Sequence, residues 1–239
     1  MNNTTYENAV RGFTAAEALP AERAAFIRKT YMHLALAILA FSAMTFYLVS
    51  SNAGLWIAKT MLSGPYAWLI VLGLFMGVSY VAQKWALSDT SRAQQYMGLI
   101  MFTVAEAIVF LPLLFMTAHY SGVDVIAKAG VVTLGLFAGL SATVLITRKD
   151  FSFLGPILAI GGFVALGFIV SGIVFGFSIG SFFAFAMVIF AGGSILYETS
   201  NMLHRYNTNQ YVAASLGLFA SVALLFYYIL MIFTGRDSS

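Results

Sequence analysis

The sequence predicts an all-α polytopic membrane protein, a bundle of seven transmembrane helices, and three observations predict it. Of 239 residues, 61% are hydrophobic and only 9% charged, against roughly 25% charged in an ordinary soluble domain. A soluble fold of this size could not cover its surface with so few charges, whereas lipid-facing helices meet hydrocarbon. The apolar residues also fall into runs near the ~20 residues that a spanning helix needs, and the charged residues collect between those runs.

Taken in order, the spans are expected over 32–50, 66–82, 96–116, 125–146, 153–175, 178–197 and 211–233. Only Gly176 and Phe177 divide the fifth from the sixth, so a six-helix count is the rival at that point. Residues 1–30 read as a polar tail, compatible with a disordered or loosely helical segment. Residues 31–234 form the transmembrane domain and 235–239 a short C-terminal tail. The first thirty residues carry Glu7, Arg11, Glu17, Glu22, Arg23, Arg28 and Lys29. A secretory signal would instead run from a short basic region straight into an apolar one.

Loop charges test the orientation, because cytoplasmic loops carry an excess of Lys and Arg. On the N-terminal side of the seven-span scheme stand Arg11, Arg23, Arg28, Lys29, Lys84, Arg92, Arg148, Lys149 and Arg205. Lys59, Lys128 and Arg236 stand on the other side. Nine against three puts the N-terminus in the cytoplasm. Merging the fifth and sixth spans exchanges Arg205 for Arg236, so the rule leaves the side of the C-terminus open.

Glycines recur at small-xxx-small spacing at Gly73 and Gly77, Gly135 and Gly139, and Gly172, Gly176 and Gly180. Such spacing lets two helix backbones approach closely. Packing within the chain is the first reading and a dimer face the second.

Ionisable residues inside a spanning helix are costly and therefore functional candidates. Glu106 falls at the middle of the third span and Glu198 at the inner end of the sixth. For Glu106 two readings stand side by side: a neutral carboxyl hydrogen-bonded to a neighbouring helix, or a proton or cation site in an internal cavity. For Glu198 they are a solvated helix end or a carboxylate gating a pathway that opens inward. Pro112 lies six residues after Glu106, where a proline frees a carbonyl on the preceding turn and often kinks the helix.

Other chemistries find no support. Without cysteine there are no disulfides, thiolate sites or cysteine nucleophiles. His33, His119 and His204 lack a ligand-like spacing, so neither a metal nor another cofactor is expected. No H-E-x-x-H, G-x-S-x-G or G-x-x-x-x-G-K-[ST] occurs. The four aspartates, Asp89, Asp124, Asp150 and Asp237, fall in loops or the tail, which argues against intramembrane aspartyl proteolysis. An enzyme is not expected. Nor is nucleic acid a partner, since no basic stripe with interleaved aromatics is present; the lipid bilayer is.

Two segments carry a family resemblance. ITRKDFSFLG, at 146–155, and LYETSNMLHRYNTNQYVAASLGLF, at 196–219, resemble the corresponding stretches of the Bax inhibitor-1, or transmembrane Bax inhibitor motif, family. The wording TRKDFSFLG and YETSN is similar to its bacterial YccA-like branch. Arg148, Lys149, Asp150, Phe151, Tyr197, Thr199 and Asn201 carry the match, which extends over about residues 25–235. The resemblance implies a seven-helix membrane fold with a pH-sensitive cation pathway, calcium being the ion transported. It also implies a pair of carboxylates on the last two helices that share a proton. Glu198 matches the first position of that pair, but Ser221 stands at the second, and no acid occurs between 211 and 233. A serine can hydrogen-bond a carboxylate without supplying like-charge coupling. The YccA-like branch implies a location in the bacterial inner membrane. It implies a second role too, as substrate and modulator of the membrane-anchored AAA protease FtsH, with the N-terminal tail as the handle.

Overall fold

The computed structural model describes residues 14–88, 91–176 and 180–236. Eight α-helices are present among them, and seven are long and apolar enough to cross a membrane. They are α1 (Pro20–Val49), α2 (Asn52–Met61), α3 (Pro65–Ala86), α4 (Arg92–Met116), α5 (Val123–Thr147), α6 (Leu154–Phe175), α7 (Gly180–His204) and α8 (Tyr211–Arg236). The all-α, seven-span fold class is the observed one. The division between the fifth and sixth spans is real. Gly176 closes α6 in the left-handed conformation, φ +73°, which glycine adopts without steric cost. Phe177 and the expected first residue of the sixth span, Ser178, lie outside the described residues.

Two features differ from expectation. α1 starts at Pro20, twelve residues before the apolar run. Pro at the first helical position and Glu22 in the first turn are good start signals. The buried stripe Phe26, Thr30, Leu34, Ala37, Phe41 and Thr45 already begins inside the charged segment. Much of the expected tail is thus a seated part of the bundle. α2 is the second difference. At ten residues it is too short to span. It buries Gly54, Ala58 and Met61, and the Ser51 hydroxyl caps its start by accepting the Gly54 N–H at 3.0 Å.

α8 and α4 form the centre and α3 and α6 the periphery: 61% and 50% of the apolar windows of α8 and α4 are buried, against 6% and 11% for α3 and α6. Aromatic rings fasten α1 and α4 to α8. Phe110 stacks on Phe226 at 5.7 Å, Phe41 meets Phe110 edge-on at 5.0 Å, and Phe102 meets Phe219 at 6.0 Å. Each such pair contributes about 0.5–1.5 kcal/mol beyond its buried area. Hydroxyls in the spans bond back to carbonyls of their own helix, as at Thr45 to Phe41, Thr103 to Leu99, Thr133 to Ala129 and Ser215 to Val212. Lipid offers them no other partner. Pro112 is accommodated without interrupting α4, which passes through it to Met116 and then widens into a π-helical turn, Thr117–Ser121.

The small-xxx-small expectation needs correction at two of its three sets of glycines. A Cβ added at Gly73, Gly77, Gly135 or Gly139 would meet nothing within 4 Å, so these glycines do not pack helices together within the chain. Close approach occurs instead at Gly98, where a Cβ would lie 2.5 Å from the Ala82 carbonyl oxygen. That position seats α4 directly on the backbone of α3.

Candidate functional site

A cavity of about 920 Å³ lies between α3 and α4 on one side and α6, α7 and α8 on the other. Its lining is largely aromatic and aliphatic, including Trp68, Phe75, Phe102 and Phe183. Glu106, Glu198 and Ser221 all line it. The sequence singles these three out separately, and the fold brings them to one space.

Glu106 enters from α4 between Phe102 and Phe110, one turn to either side, and is only 7% exposed. It makes no hydrogen bond or ion pair with any described residue, so no bond to a neighbouring helix ties it down. Glu198 is half-buried on α7, and its Oε2 is enclosed without a hydrogen-bond partner among the described residues. What gives Oε2 its seat is the missing side chain of Gly217 on α8: a Cβ there would stand 2.6 Å from it.

Ser221 lies one turn from Gly217 and does not complete a pair with Glu198. Its hydroxyl donates to the Gly217 carbonyl at 3.1 Å and lies 2.8 Å from Ser194 Oγ. A hydroxyl has one proton to give, so Ser194 is the donor to Ser221. The position facing the Glu198 carboxyl is Gly217, which sequence reasoning does not single out. Ser79, Gln83, Ser194 and Tyr206 are further polar groups on the cavity wall that it misses. A single sequence carries no signal for the register of α7 on α8, which decides all of these contacts.

The two carboxylates sit at different depths. Arg92 at the start of α4 donates to the Asn209 carbonyl of the α7–α8 loop at 2.9 Å, so the two helix ends lie at one level. Glu106 is fourteen residues along α4 and Glu198 six residues back from His204. At 1.5 Å per residue they are offset by about 12 Å along the bundle. They share a cavity without sharing a hydrogen bond.

The matching segments of the two loops explain one another. The Asp150 carboxylate accepts the Ser152 N–H at 2.8 Å and the Ser200 hydroxyl at 3.2 Å, while the Phe151 N–H donates to Ser200 Oγ at 2.9 Å. A Cβ on Gly155 would press on the Tyr197 ring at 3.0 Å. Thr199 is fully buried with its hydroxyl 3.4 Å from Ser141, and the Asn201 carbonyl accepts the Arg205 and Tyr206 N–H groups. Arg148 and Lys149 are exposed. Asp150 and Phe151 therefore dock the α5–α6 loop on the end of α7 and lie apart from the cavity lining. The Ser152 backbone N–H, with smaller help from Ser200, holds the Asp150 carboxyl below the usual carboxylate range. A lowered folded value means that the docking is present above the ordinary value and lost as pH falls through the lowered one. The protection factors of the Phe151 and Ser152 amides should accordingly hold through the ordinary aspartate range and fall only below it, and Asp150→Asn should remove that dependence.

The same end of the bundle carries a strap. Residues 14–19 lie over the α7–α8 loop, with Thr14 bridged to Asn207, the Ala16 N–H donating to the Leu203 carbonyl at 2.8 Å and the Ala15 N–H to Tyr206 at 3.4 Å. Arg23 fixes it by donating to the carbonyls of Ala15, Ala16 and Ala18 at 2.6, 2.7 and 3.2 Å. Tyr206, under the strap, also reaches the cavity. Burial, then the neighbouring Glu198 carboxylate, raises its phenol above the usual range, so it remains a proton donor.

Residues 23–238 match the family model described as inhibitor of apoptosis-promoting Bax1. The Escherichia coli protein named modulator of FtsH protease YccA is 33% identical over 88% of this chain and 91% of its own length. Bax inhibitor 1 of Schizosaccharomyces pombe is 29% identical over 91% of this chain and 79% of its own. Protein LIFEGUARD 4 of Arabidopsis thaliana is 28% identical over 91% and 87%. The match begins within α1 and runs past the last described residue of α8, so it takes in every span, both docked loop segments and both cavity carboxylates, and the chain belongs to the Bax inhibitor-1 family.

Proposed function

We propose that this protein is a pH-responsive cation leak pathway, with calcium as the transported ion. One observation carries the reading: the enclosed, unpartnered Oε2 of Glu198, seated against bare Gly217 in the membrane-embedded cavity that also holds Glu106. A carboxylate oxygen is a hard ligand for a cation such as calcium. It is also where a proton binds, so cation and proton compete for one atom. Two carboxylates offset in depth supply successive stations, and Ser79, Gln83, Ser194 and Ser221 supply neutral oxygens around them. On the charge asymmetry of the loops, the end bearing Glu198 and Tyr206 faces the cytoplasm of a bacterial inner membrane. Liposomes containing the purified protein should pass calcium at a rate that changes with pH, and Glu106→Gln should slow it by roughly fivefold, about 1 kcal/mol. No flux above that of empty liposomes at any pH would refute the proposal.

A second reading is modulation of a membrane-anchored AAA protease, favoured by the name of the Escherichia coli relative. The seated strap sharpens its test. A deletion reaching residue 25 would remove Arg23 and unseat residues 14–19, confusing loss of a handle with loss of structure. Deleting residues 1–13 avoids this. If the leading segment is the handle, co-purification with FtsH should disappear in that variant; undiminished co-purification would count against it.

A further inference from the structure

Beside the strap lies a second, smaller cleft of about 320 Å³, lined by Ala16, Arg23, Ile27, Leu145, Arg148, Leu203 and His204. Its basic residues come from three separate elements: Arg23 from the first turn of α1, Arg148 from the residue closing α5, and His204 from the last turn of α7. No carboxylate lines it. Two acids on the neighbouring segments are occupied, Asp150 with Ser152 and Ser200, and Glu17 with Thr14. Arg23 gives three of its five N–H groups to strap carbonyls through Nε and Nη2, which leaves both hydrogens of Nη1. The Arg148 guanidinium makes no hydrogen bond or ion pair with any described residue. His204 Nδ1 faces the Ser200 carbonyl at 3.1 Å, so it carries the proton and Nε2 is left over. Arg148 is held at φ +53°, and among the described residues it is the one non-glycine with positive φ.

We infer that this cleft binds a phosphate oxyanion, held by the guanidinium groups of Arg23 and Arg148 with His204 at its side. Guanidinium groups match phosphate geometry and bind it with charge-assisted hydrogen bonds. The floor of Ile27, Leu145 and Leu203 is apolar, which suits a phosphate carried on a lipid glycerol. The cleft sits where three spans end, at the level of lipid headgroups, and basic pockets between helices at that level bind anionic headgroups. An anion here would tie the strap, through Arg23, to the α5–α6 junction at Arg148.

The experiment uses the full chain and native mass spectrometry from nanodiscs of phosphatidylcholine with added phosphatidylglycerol. One phosphatidylglycerol should be retained saturably. Arg148→Asn removes the charge with a residue that tolerates the left-handed backbone, and it should lower retention at least fivefold. Arg148→Gly should do the same with no backbone strain. Arg205→Asn, an exposed charge off the cleft, should leave retention unchanged. Titration with inorganic phosphate distinguishes the sources: displacement of the lipid shows a site open to free phosphate, and resistance shows a headgroup site. Absence of saturable retention in the wild type, or equal retention in either Arg148 variant, would overturn the inference.

Discussion

Replacing Gly98 by valine should unfasten α3 from the bundle and cost about 3 kcal/mol or more. The atoms that a Cβ would strike are backbone, the Ala82 oxygen at 2.5 Å and the Ala86 nitrogen at 2.9 Å, with Trp85 Cβ behind them at 3.2 Å. Backbone cannot rotate aside as a long side chain does, so α3 as a whole has to move. It has little else to hold it, with 6% of its apolar window buried. α3 also forms one wall of the large cavity, so the damage reaches Glu106 and Glu198 indirectly. The midpoint of thermal unfolding in detergent reads the effect. Gly139→Val is the control. It places the same side chain where nothing lies within 4 Å and should change stability by no more than about 0.5 kcal/mol.

The second large effect is on the proposed calcium leak. Gly217→Ala leaves both carboxylates in the chain but places a methyl 2.6 Å from where Glu198 Oε2 now rests. The obstacle is the end of a flexible side chain, so the fold yields cheaply; an alanine in place of a helical glycine even returns about 1 kcal/mol of propensity. Calcium flux into liposomes should fall at least tenfold, about 1.4 kcal/mol, with the unfolding midpoint preserved or raised. Glu198→Gln should give a similar loss and flatten the dependence of flux on pH, because its side chain has no proton to exchange. If Gly217→Ala conducts like the wild type, the seat of the carboxyl group is irrelevant to conduction. A flux that keeps its pH profile in Glu198→Gln would move the sensing elsewhere, with Glu106 next in line.

How much of the fold is legible in the chain follows from which forces act locally. The bilayer imposes length and apolarity on each span separately, so the seven spans can be read from composition alone. The same rule exposes Glu106 and Glu198 as exceptions by their positions within apolar runs. α2 escapes because ten residues of mixed polarity satisfy no bilayer rule. The start of α1 escapes because charged residues ahead of an apolar run look like a tail unless the four-residue rhythm from Phe26 onward is followed into them. The glycine pattern misleads for a related reason: a helix exposed to lipid accepts glycine as readily as one that packs, and Gly73 or Gly135 cannot be told from Gly98 by spacing. The seat of Glu198 on Gly217 depends on how two helices slide past each other, which one chain of letters does not encode locally. Correspondence with the family makes Ser221 the partner of Glu198, whereas the register pairs it with Ser194.

The bridge between Thr14 and Asn207 also bears on biogenesis. A ribosome delivers these two residues at opposite ends of the work, the first before any span has entered the bilayer and the second when six have. Residues 14–19 therefore find their place over the α7–α8 loop only once the last hairpin has formed.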